Sequence, residues 1–597
     1  MVQESVGRAS APGLPAGETL AERDLPPRPT PEDLYRPLLN SEIRLITLRP
    51  GRWQDPIVCD LITVLLDDKP KFMALSYAWG NAARTQPITL NKQIYDVTVN
   101  LFRGLRRLRH IISKGDHSVP FITERLEDFH LWADAVCINQ GDDHEKTCQI
   151  VRMRDIYTFA DWVCAWLGEN TQEDDILIRR IFDMTKSNDL KAKGWAASFE
   201  EELRNLSDDL IAGVAKLSSR SWFSRVWVVQ ELTLATKETI LLAGEKWTDI
   251  KDLLKIVIPV ERFRSGFEQS FTYPLVFLHR IRQHYVKYRT VEVAFNMDTS
   301  ALCTRLDKVV GGTHGWFKAT LPDDYIYGLL GLISSGELPC RLQPDYNKPV
   351  GQVYQEYARI TIENTGNLSI LFRNNNSLQG LPSWVPDFSS KSSAIWQKRS
   401  ADITNSLSFS QSGDQFTLRG VEIGSCSLVY TPPCRDLDDL YINCLGWLQQ
   451  LDIFLTEVSD ITDSTWDDTL ERWLQLNNGL GTVASEIKII YKSIICGKAR
   501  VNWYEQSEDV KTLFKKSLRT CPTLATSSGI LAALKRVDRI SQPDDILVAV
   551  RETSRVILLR PNKENGMYAF LGYCDCVRFE HTQELFSNKI LKEFVVA

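Results

Sequence analysis

The sequence lacks the segments that place proteins in or across membranes. No stretch reaches the roughly 18 uninterrupted apolar residues of a membrane helix, and the N-terminus lacks the basic and apolar pattern of a signal peptide. Long runs of Lys or Arg are missing too, and the net charge is -6, from 70 basic and 76 acidic residues. We therefore expect a cytoplasmic protein that binds neither membranes nor nucleic acid through bulk charge.

Motifs for metals and bound nucleotides are also missing. The 8 histidines form no HExxH pattern and no zinc-spaced cluster with Cys, and no Walker A or GxGxxG motif occurs. The 13 cysteines include no CxxC pair, which predicts reduced, mostly buried thiols in a cytosolic protein. We expect no metal site and no bound cofactor.

The composition is that of a folded protein with several domains. The 597 residues, 43% hydrophobic and 24% charged, exceed what one hydrophobic core serves and predict two to four domains. The Pro-rich residues 1–34 predict a disordered tail. We expect an α/β domain over 41–240, a mainly helical region over 245–395 and an α+β region over 400–597.

Three apolar segments of the expected α/β domain predict core strands. Phe72–Trp79, Leu131–Ile138 and Trp162–Leu167 carry apolar residues on both faces, as strands of a parallel sheet covered on both sides do. Between the last two segments, Asp142 is placed to be the N-cap of a helix with Glu145 at the third helical position. The capping role then explains the presence of Glu145 at this position without a catalytic role.

A small polar cluster follows each of the three predicted strands. The clusters lie at 80–81, 139–141 and 168–170. The carboxyl ends of parallel strands meet at one edge of a sheet, where ligands bind, so the clusters would form a shared ligand or partner site. Because Gly, Asn and Gln are also ordinary turn residues, the interpretation as simple turns stays open. The residues predicted to bind a ligand here are Ser76, Tyr77, Trp79, Gly80, Asn81, Asn139 and Gln140.

Glu231 is the strongest candidate for a chemical role. On a helix predicted over Arg225–Ala235 it shares one face with Trp227, which predicts burial among apolar side chains. Partial burial raises the pKa of a carboxylate and suits it to acid–base or oxocarbenium-stabilising chemistry. An ion pair with Arg225 or Arg220 is the structural alternative.

Two weaker candidates lie on the predicted strand Leu131–Ile138. Asp134 would share a strand face with Trp132 and Val136 and would need a buried partner, which favours a structural hydrogen bond over catalysis. Cys137 is a poor candidate nucleophile, because strand cysteines are usually inert.

Three blocks of the sequence combine Trp, Cys, Asn and Gln at unusual density. They lie at Phe72–Asn81, Leu131–Gly168 and Ser219–Ala235, and contain the forms ALSYxWG, DAxCINQ and RxWFxRxWVxQE. Together and in this order they resemble the signature blocks of the fungal heterokaryon incompatibility (HET) domain family. The resemblance implies a role in fungal non-self recognition, in which an incompatible encounter triggers regulated cell death.

A second, more distant resemblance concerns the last block. SRVWVVQEL (Ser224–Leu232) is similar to the SxWCxxEL helix of Toll/interleukin-1 receptor (TIR) domains, and ALSYAWG (Ala74–Gly80) resembles their first strand. In the NAD-cleaving members of that family, the Glu four residues after the Trp is catalytic. The resemblance implies a TIR-like, flavodoxin-like parallel sheet, with Glu231 on the catalytic Glu and Trp227 on the Trp.

Two hypotheses about mechanism follow from these resemblances. In the first, the domain is an enzyme that hydrolyses the nicotinamide glycosidic bond of NAD: Glu231 stabilises the ribosyl cation, and Trp227 and the strand-end residues hold NAD as a substrate. In the second, it is a non-catalytic signalling module that self-associates and recruits a protein partner. Trp222, Phe223 and Trp227 then have packing or interface roles.

Overall fold

The computed structural model describes most of the chain, with gaps. The residues described are 34–39, 41–115, 119, 129–186, 208–236, 238–263, 273–285, 299–333, 342–366, 368–373, 378–390, 407–410, 414–430, 523–526, 531–534, 541–550, 556–577, 586 and 591–597. The disordered tail predicted for 1–34 lies outside these residues except for its last position.

The chain divides into two compact units, described separately below. One unit holds Met1–Met73 and Trp79–Glu145, and the other holds Ala74–Ala78 and Lys146–Ala597. The N-terminal strands are β1 (Glu42–Leu48), β2 (Val58–Leu65), β3 (Met73–Tyr77), β4 (Thr85–Leu90), β5 (Gln93–Thr98), β6 (His130–Trp132), β7 (Trp162–Trp166), β8 (Glu238–Ala243) and β9 (Lys246–Asp249).

Strands of the first unit follow the order β5-β4-β2-β1-β6. In this unit β1 is antiparallel to β2 and β6, β4 is antiparallel to β5, and β2 is parallel to β4. In the second unit the order is β3-β7-β8-β9, with β7 parallel to β8 and β8 antiparallel to β9. The expectation of a mixed α/β domain is confirmed, but its strands pair in both directions, whereas we expected a parallel sheet.

The helices are interspersed with the strands over the first 250 residues and form most of the described regular structure between 250 and 373. They are α1 (Val99–Lys114), α2 (Asp134–Cys137), α3 (Asp143–Phe159), α4 (Gln172–Lys186), α5 (Asp208–Ser218), α6 (Val226–Leu234), α7 (Ile250–Phe263), α8 (Thr299–Thr313), α9 (Asp324–Leu330) and α10 (Val350–Thr365), with a further helical segment at 273–285. No helix in the part of the chain that the structure describes is both long and apolar enough to cross a membrane.

One strand prediction is wrong. The segment Leu131–Ile138 is extended only as far as Trp132 in β6, and Asp134 then begins the short helix α2. The Asp134 carboxylate accepts a hydrogen bond from the N–H of Ala135 at 2.8 Å, a local bond that favours a turn over a ladder. Periodicity could not separate the two, because a buried helical turn and a buried strand are equally apolar over so few residues.

The C-terminal residues form a second sheet within the larger unit. Its strands are β10 (Leu407–Phe409), β11 (Phe416–Tyr430), β12 (Thr523–Thr526), β13 (Leu531–Leu534), β14 (Ile546–Val550), β15 (Val556–Pro561), β16 (Tyr568–Val577) and β17 (Lys592–Val596). The order is β10-β11-β12-β13-β16-β15-β14, and β11 also pairs with β14. The sheet part of the expected α+β region is therefore present, and residues 431–522 lie outside the described ranges.

Candidate functional site

Ser76, Trp222 and Glu231 form a buried hydrogen-bonded cluster, called the Ser76–Glu231 cluster below. Ser76 lies in β3, whose five residues are all buried, and Glu231 lies on α6 with 2% of its surface exposed. The Ser76 hydroxyl donates to Glu231 Oε2, and the indole Nε1 of Trp222 donates to Ser76 Oγ at 2.7 Å. The cluster lies entirely within one compact unit and joins residues 155 positions apart in sequence.

The direction of these bonds defines what the cluster can do. An indole N–H can only donate, so the Ser76 oxygen must accept from Trp222 and its proton must point to the carboxylate. A chain of bonds aligned in this way polarises each member. Glu231 is thus held in one orientation as an acceptor, as a carboxylate that stabilises a developing positive charge must be.

The two arginines of the RxWFxRxW motif tie the ends of two strands to α6. Arg225, the residue before α6, donates to the carbonyl of Tyr77 at the end of β3. Arg220 donates to the carbonyl of Gly168, just beyond β7, at 3.2 Å, and to the Asn170 side-chain oxygen at 2.7 Å. Sequence reasoning proposed these arginines as ion-pair partners of Glu231 and missed their contacts with strand ends.

The aromatic pair between these arginines fills the core. Trp222 and Phe223 are 1% and 0% exposed, with their rings edge to face at 4.9 Å between centroids. They occupy the short 3-10 helix Ser221–Ser224 that leads into α6. Burial of both rings fixes where α6 begins, and so fixes the position of Glu231 one and a half turns later.

Trp227 packs against α9. It is partly exposed, and it hydrogen bonds the Asp324 carboxylate, whose pKa is raised by burial despite this bond. Gly328 of α9 faces its ring, since a Cβ added there would lie 3.3 Å from Trp227 Cδ2. The recorded contacts of Trp227 are therefore those of a helix-packing residue.

The predicted ligand residue Tyr77 lies in the second unit, is 1% exposed, and accepts a bond from Arg225 through its carbonyl. Gly80, Asn81 and Asn139 lie in the first unit and make local contacts. Gly80 has a φ of 76° and Asn81 Oδ1 accepts from the N–H of Ala83 at 2.9 Å, so the two build a turn. Asn139 Oδ1 likewise accepts from the N–H of Gly141 at 3.1 Å. These contacts favour the interpretation as turns, and a ligand role for these residues stays a prediction.

Trp79 and Gln140 both hydrogen bond Asp134. The indole of Trp79 donates to Asp134 Oδ2 at 2.8 Å, and the Gln140 side-chain amide donates to the Asp134 carbonyl at 3.0 Å. Asp134 thus has the structural partner that the sequence predicted, although it begins a helix and not a strand. Trp79 is only partly buried, so its ring is less important to the core than its position after a buried strand indicated.

Glu145 is held by an ion pair that sequence reasoning missed. The predicted N-cap is present, since Asp142 Oδ1 accepts from the N–H groups of His144 and Glu145 at 2.9 and 3.1 Å. The Glu145 carboxylate accepts two bonds from the Arg44 guanidinium, at 2.6 and 3.0 Å, and one from the N–H of Asn139 at 2.8 Å. The available signal was Arg44 itself, a lone charge within the apolar strand EIRLITL.

Burial disfavours the nucleophilic thiolate form of Cys137. Burial raises the pKa of its thiol to about 12, so the thiol remains protonated at neutral pH and is a poor nucleophile. Within the described ranges, no group of three His, Cys, Asp or Glu residues is placed to hold a metal ion.

Comparison with known proteins identifies the region around the cluster. Residues 72–231 match the family described as heterokaryon incompatibility protein (HET). The chain is 24% identical over 436 residues to heterokaryon incompatibility protein 6, OR allele, of Neurospora crassa, an alignment that covers 60% of this chain and 59% of that relative. The chain thus spans less than two thirds of the relative's length. No solved structure matches the chain.

Proposed function

Because residues 72–231 belong to the heterokaryon incompatibility family, we propose that this chain acts in fungal heterokaryon incompatibility, in which an encounter with non-self triggers cell death. One observation supports a site within this role. The matched segment begins one residue before β3 and ends at Glu231, so its two ends meet in the hydrogen bond between Ser76 and Glu231. The matched region is thus closed by the cluster.

The mechanism we propose is hydrolysis of the nicotinamide glycosidic bond of NAD. The C–N bond to nicotinamide breaks as positive charge develops on the ribose, and the bonding electrons leave with nicotinamide. Water then adds to the ribosyl carbon and loses one proton to solvent, which gives ADP-ribose. Glu231 supplies the negative charge opposite the ribosyl cation, and Ser76 holds its carboxylate in place. This assignment rests on the TIR-like spacing of Trp227 and Glu231, and it requires α6 or a neighbouring element to move, because Glu231 is buried.

The test is to remove the charge of Glu231 while keeping its shape. Glu231→Gln preserves an acceptor for Ser76, so the chain should fold, while loss of a transition-state charge contact lowers the rate by roughly a hundredfold. Glu245→Gln, at an exposed position between β8 and β9, is the matched control. Cell killing on overexpression in a fungal host and nicotinamide release by purified protein are the two measurements.

The alternative is a non-catalytic signalling module that self-associates and recruits a death effector. Burial of Trp222 and Phe223 favours packing roles for both, so an association surface would have to lie elsewhere. If Glu231→Gln folds and kills at full strength without nicotinamide release by either protein, the module hypothesis is the correct one. If the wild-type chain does not kill, the proposed role in incompatibility is wrong.

A further inference from the structure

The helix that carries Glu231 is docked on a segment outside the matched region. Two backbone bonds join them: the N–H of Val226 donates to the Lys318 carbonyl at 2.9 Å, and the N–H of Lys318 donates to the Ser224 carbonyl at 2.6 Å. Residues 318–331, called the docking segment below, lie beyond the end of the match at residue 231. Both parts belong to the same compact unit.

Side chains of α6 continue this contact along α9. Gln230, the neighbour of Glu231 in sequence, is 1% exposed, and its Oε1 accepts from the N–H of Gly331 at 3.2 Å. A Cβ at Gly331 would lie 2.6 Å from the Gln230 amide, and one at Gly328 would lie 3.3 Å from the Trp227 ring. Alanine at residue 331 would therefore displace the Gln230 amide, and alanine at 328 would crowd the Trp227 ring, so both glycines allow this close approach.

The docking segment is itself held by elements further along the chain. Tyr346 Oη donates to the Asp324 carboxylate at 2.8 Å, and Tyr354 of α10 donates to the Pro322 carbonyl at 2.9 Å. At the other end of α9, Arg154 of α3 donates to the carbonyls of Gly331 and Ile333, both at 2.8 Å. A shift of α10 or of the loop at 345–346 would therefore move α9, and with it the face of α6 beside Glu231.

We infer that residues 318–331 are a positioning element for Glu231, through which the downstream part of the chain controls the Ser76–Glu231 cluster. The inference rests on the proposed function, because it assigns the control of that same site. Trp227 lies four residues before Glu231 on the same face of α6, and Gln230 immediately precedes Glu231. A change in the position of α9 would therefore reach Glu231 through these two residues. Gly331 and Gly328 are positioning residues in this scheme, because they act through α6.

Substitutions that add one methyl group to the contact between α6 and the docking segment provide the test. Gly331→Ala forces the Gln230 amide to move, and Gly328→Ala presses more weakly on Trp227. Gly351→Ala is the matched control, because its Cβ would lie 3.4 Å from Leu381, an ordinary contact away from α6. Gly328 lies within α9, where alanine adds intrinsic helix stability, and Gly331 follows the helix with a φ of -63°, which alanine adopts without strain. A loss of function in these variants would therefore not reflect a weaker helix.

Two measurements on the full chain separate positioning from folding. We expect Gly331→Ala to kill at least tenfold less than the wild type at equal soluble protein, Gly328→Ala to fall between them, and Gly351→Ala to match the wild type. Hydrogen exchange of the amides in 226–234 should become faster in Gly331→Ala, with exchange in α8 unchanged. A merely structural role would lower killing only in proportion to the loss of folded protein.

The outcomes distinguish this inference from the proposed function. Full killing by folded Gly331→Ala, beside an inactive Glu231→Gln, overturns the inference alone, and so does a loss of killing without faster exchange in α6. If Gly331→Ala is insoluble, Gly328→Ala decides by the same two measurements. A wild-type chain that does not kill overturns the proposed function and this inference with it.

Discussion

Two buried glutamates, one in each compact unit, differ in the group that each one faces. Glu145 is 7% exposed and receives two bonds from the guanidinium of Arg44. Glu231 is 2% exposed and accepts a hydrogen bond from the neutral hydroxyl of Ser76, which is polarised by the indole of Trp222. Both carboxylates lie in the segment that matches the heterokaryon incompatibility family, and the hydrogen-bond donors described for each are different.

This difference favours a structural role for Glu145 and a catalytic role for Glu231. A guanidinium that grips a carboxylate with two bonds leaves it little freedom to act on another cation. The Ser76 hydroxyl orients the Glu231 carboxylate, and in the proposed mechanism this carboxylate stabilises the positive centre that forms on the ribose. We therefore expect changes around Glu145 to affect stability, and changes around Glu231 to affect activity.

The largest expected effect is on the first unit. Arg44→Ala leaves the Glu145 carboxylate buried without its cation, which should lower the free energy of unfolding by about 3 to 5 kcal/mol. Urea denaturation followed by circular dichroism measures this. Arg49→Ala is the control, because its pair with Asp60 is at the surface and should change the midpoint little. An equally small change in the midpoint for Arg44→Ala would show that the ion pair with Glu145 contributes little to stability, which would contradict the structural role assigned to Glu145.

The same amide substitution at both glutamates tests the comparison directly. Glu145→Gln leaves the buried Arg44 guanidinium without an anion and should cost about 3 kcal/mol of stability. Glu231→Gln keeps an acceptor for the Ser76 hydroxyl and should cost about 1 kcal/mol. Denaturation midpoints of the two purified variants give the answer. Equal losses would show that Glu231 is also part of a structural charge pair.

Removing the hydroxyl between Trp222 and Glu231 should have an intermediate effect. Ser76→Ala deletes one donor and one acceptor in a buried place, which leaves the indole N–H unsatisfied and should cost about 1 to 3 kcal/mol. Killing should fall further than the loss of folded protein explains, because the carboxylate is no longer oriented. Ser76→Thr, which retains the hydroxyl, is the matched variant. An unchanged killing activity in folded Ser76→Ala would show that orientation by Ser76 is unimportant.

A smaller effect is expected where an indole donates to a carboxylate at the surface of the first unit. Trp79→Phe removes the bond to Asp134, but water can replace the donor at this partly exposed position, so the cost should be about 0.5 to 1.5 kcal/mol. The denaturation midpoint measures it. A loss well above 2 kcal/mol would show that Trp79 is as important to the core as Trp222.

The smallest effect concerns the Pro-rich N-terminal residues. Deleting residues 2–33 removes a segment whose composition offers no core, while it retains Tyr35, whose hydroxyl donates to the Val136 carbonyl at 2.9 Å. The thermal midpoint should be unchanged. A loss of soluble protein would contradict the prediction and show that these residues support the first unit.

Predictions from the sequence succeeded where the signal was local. The helix around Glu231 was expected over Arg225–Ala235 and lies at Val226–Leu234, because its apolar spacing is a property of neighbouring residues. The N-cap at Asp142 was found for the same reason. The prediction that Leu131–Ile138 is one strand was wrong, since a short buried helix and a short buried strand share the same composition.

By itself, the sequence determined the resemblance to the heterokaryon incompatibility family and the helices that begin after Asp142 and Arg225, because motif blocks and helical spacing are written in residues close together along the chain. It also placed Glu231 on a helix. Only the tertiary structure decided what each buried carboxylate faces, because Arg44 lies 101 residues from Glu145 and Ser76 lies 155 residues from Glu231. A bond across such a separation depends on how the whole chain packs, and no local pattern encodes its direction or its partner.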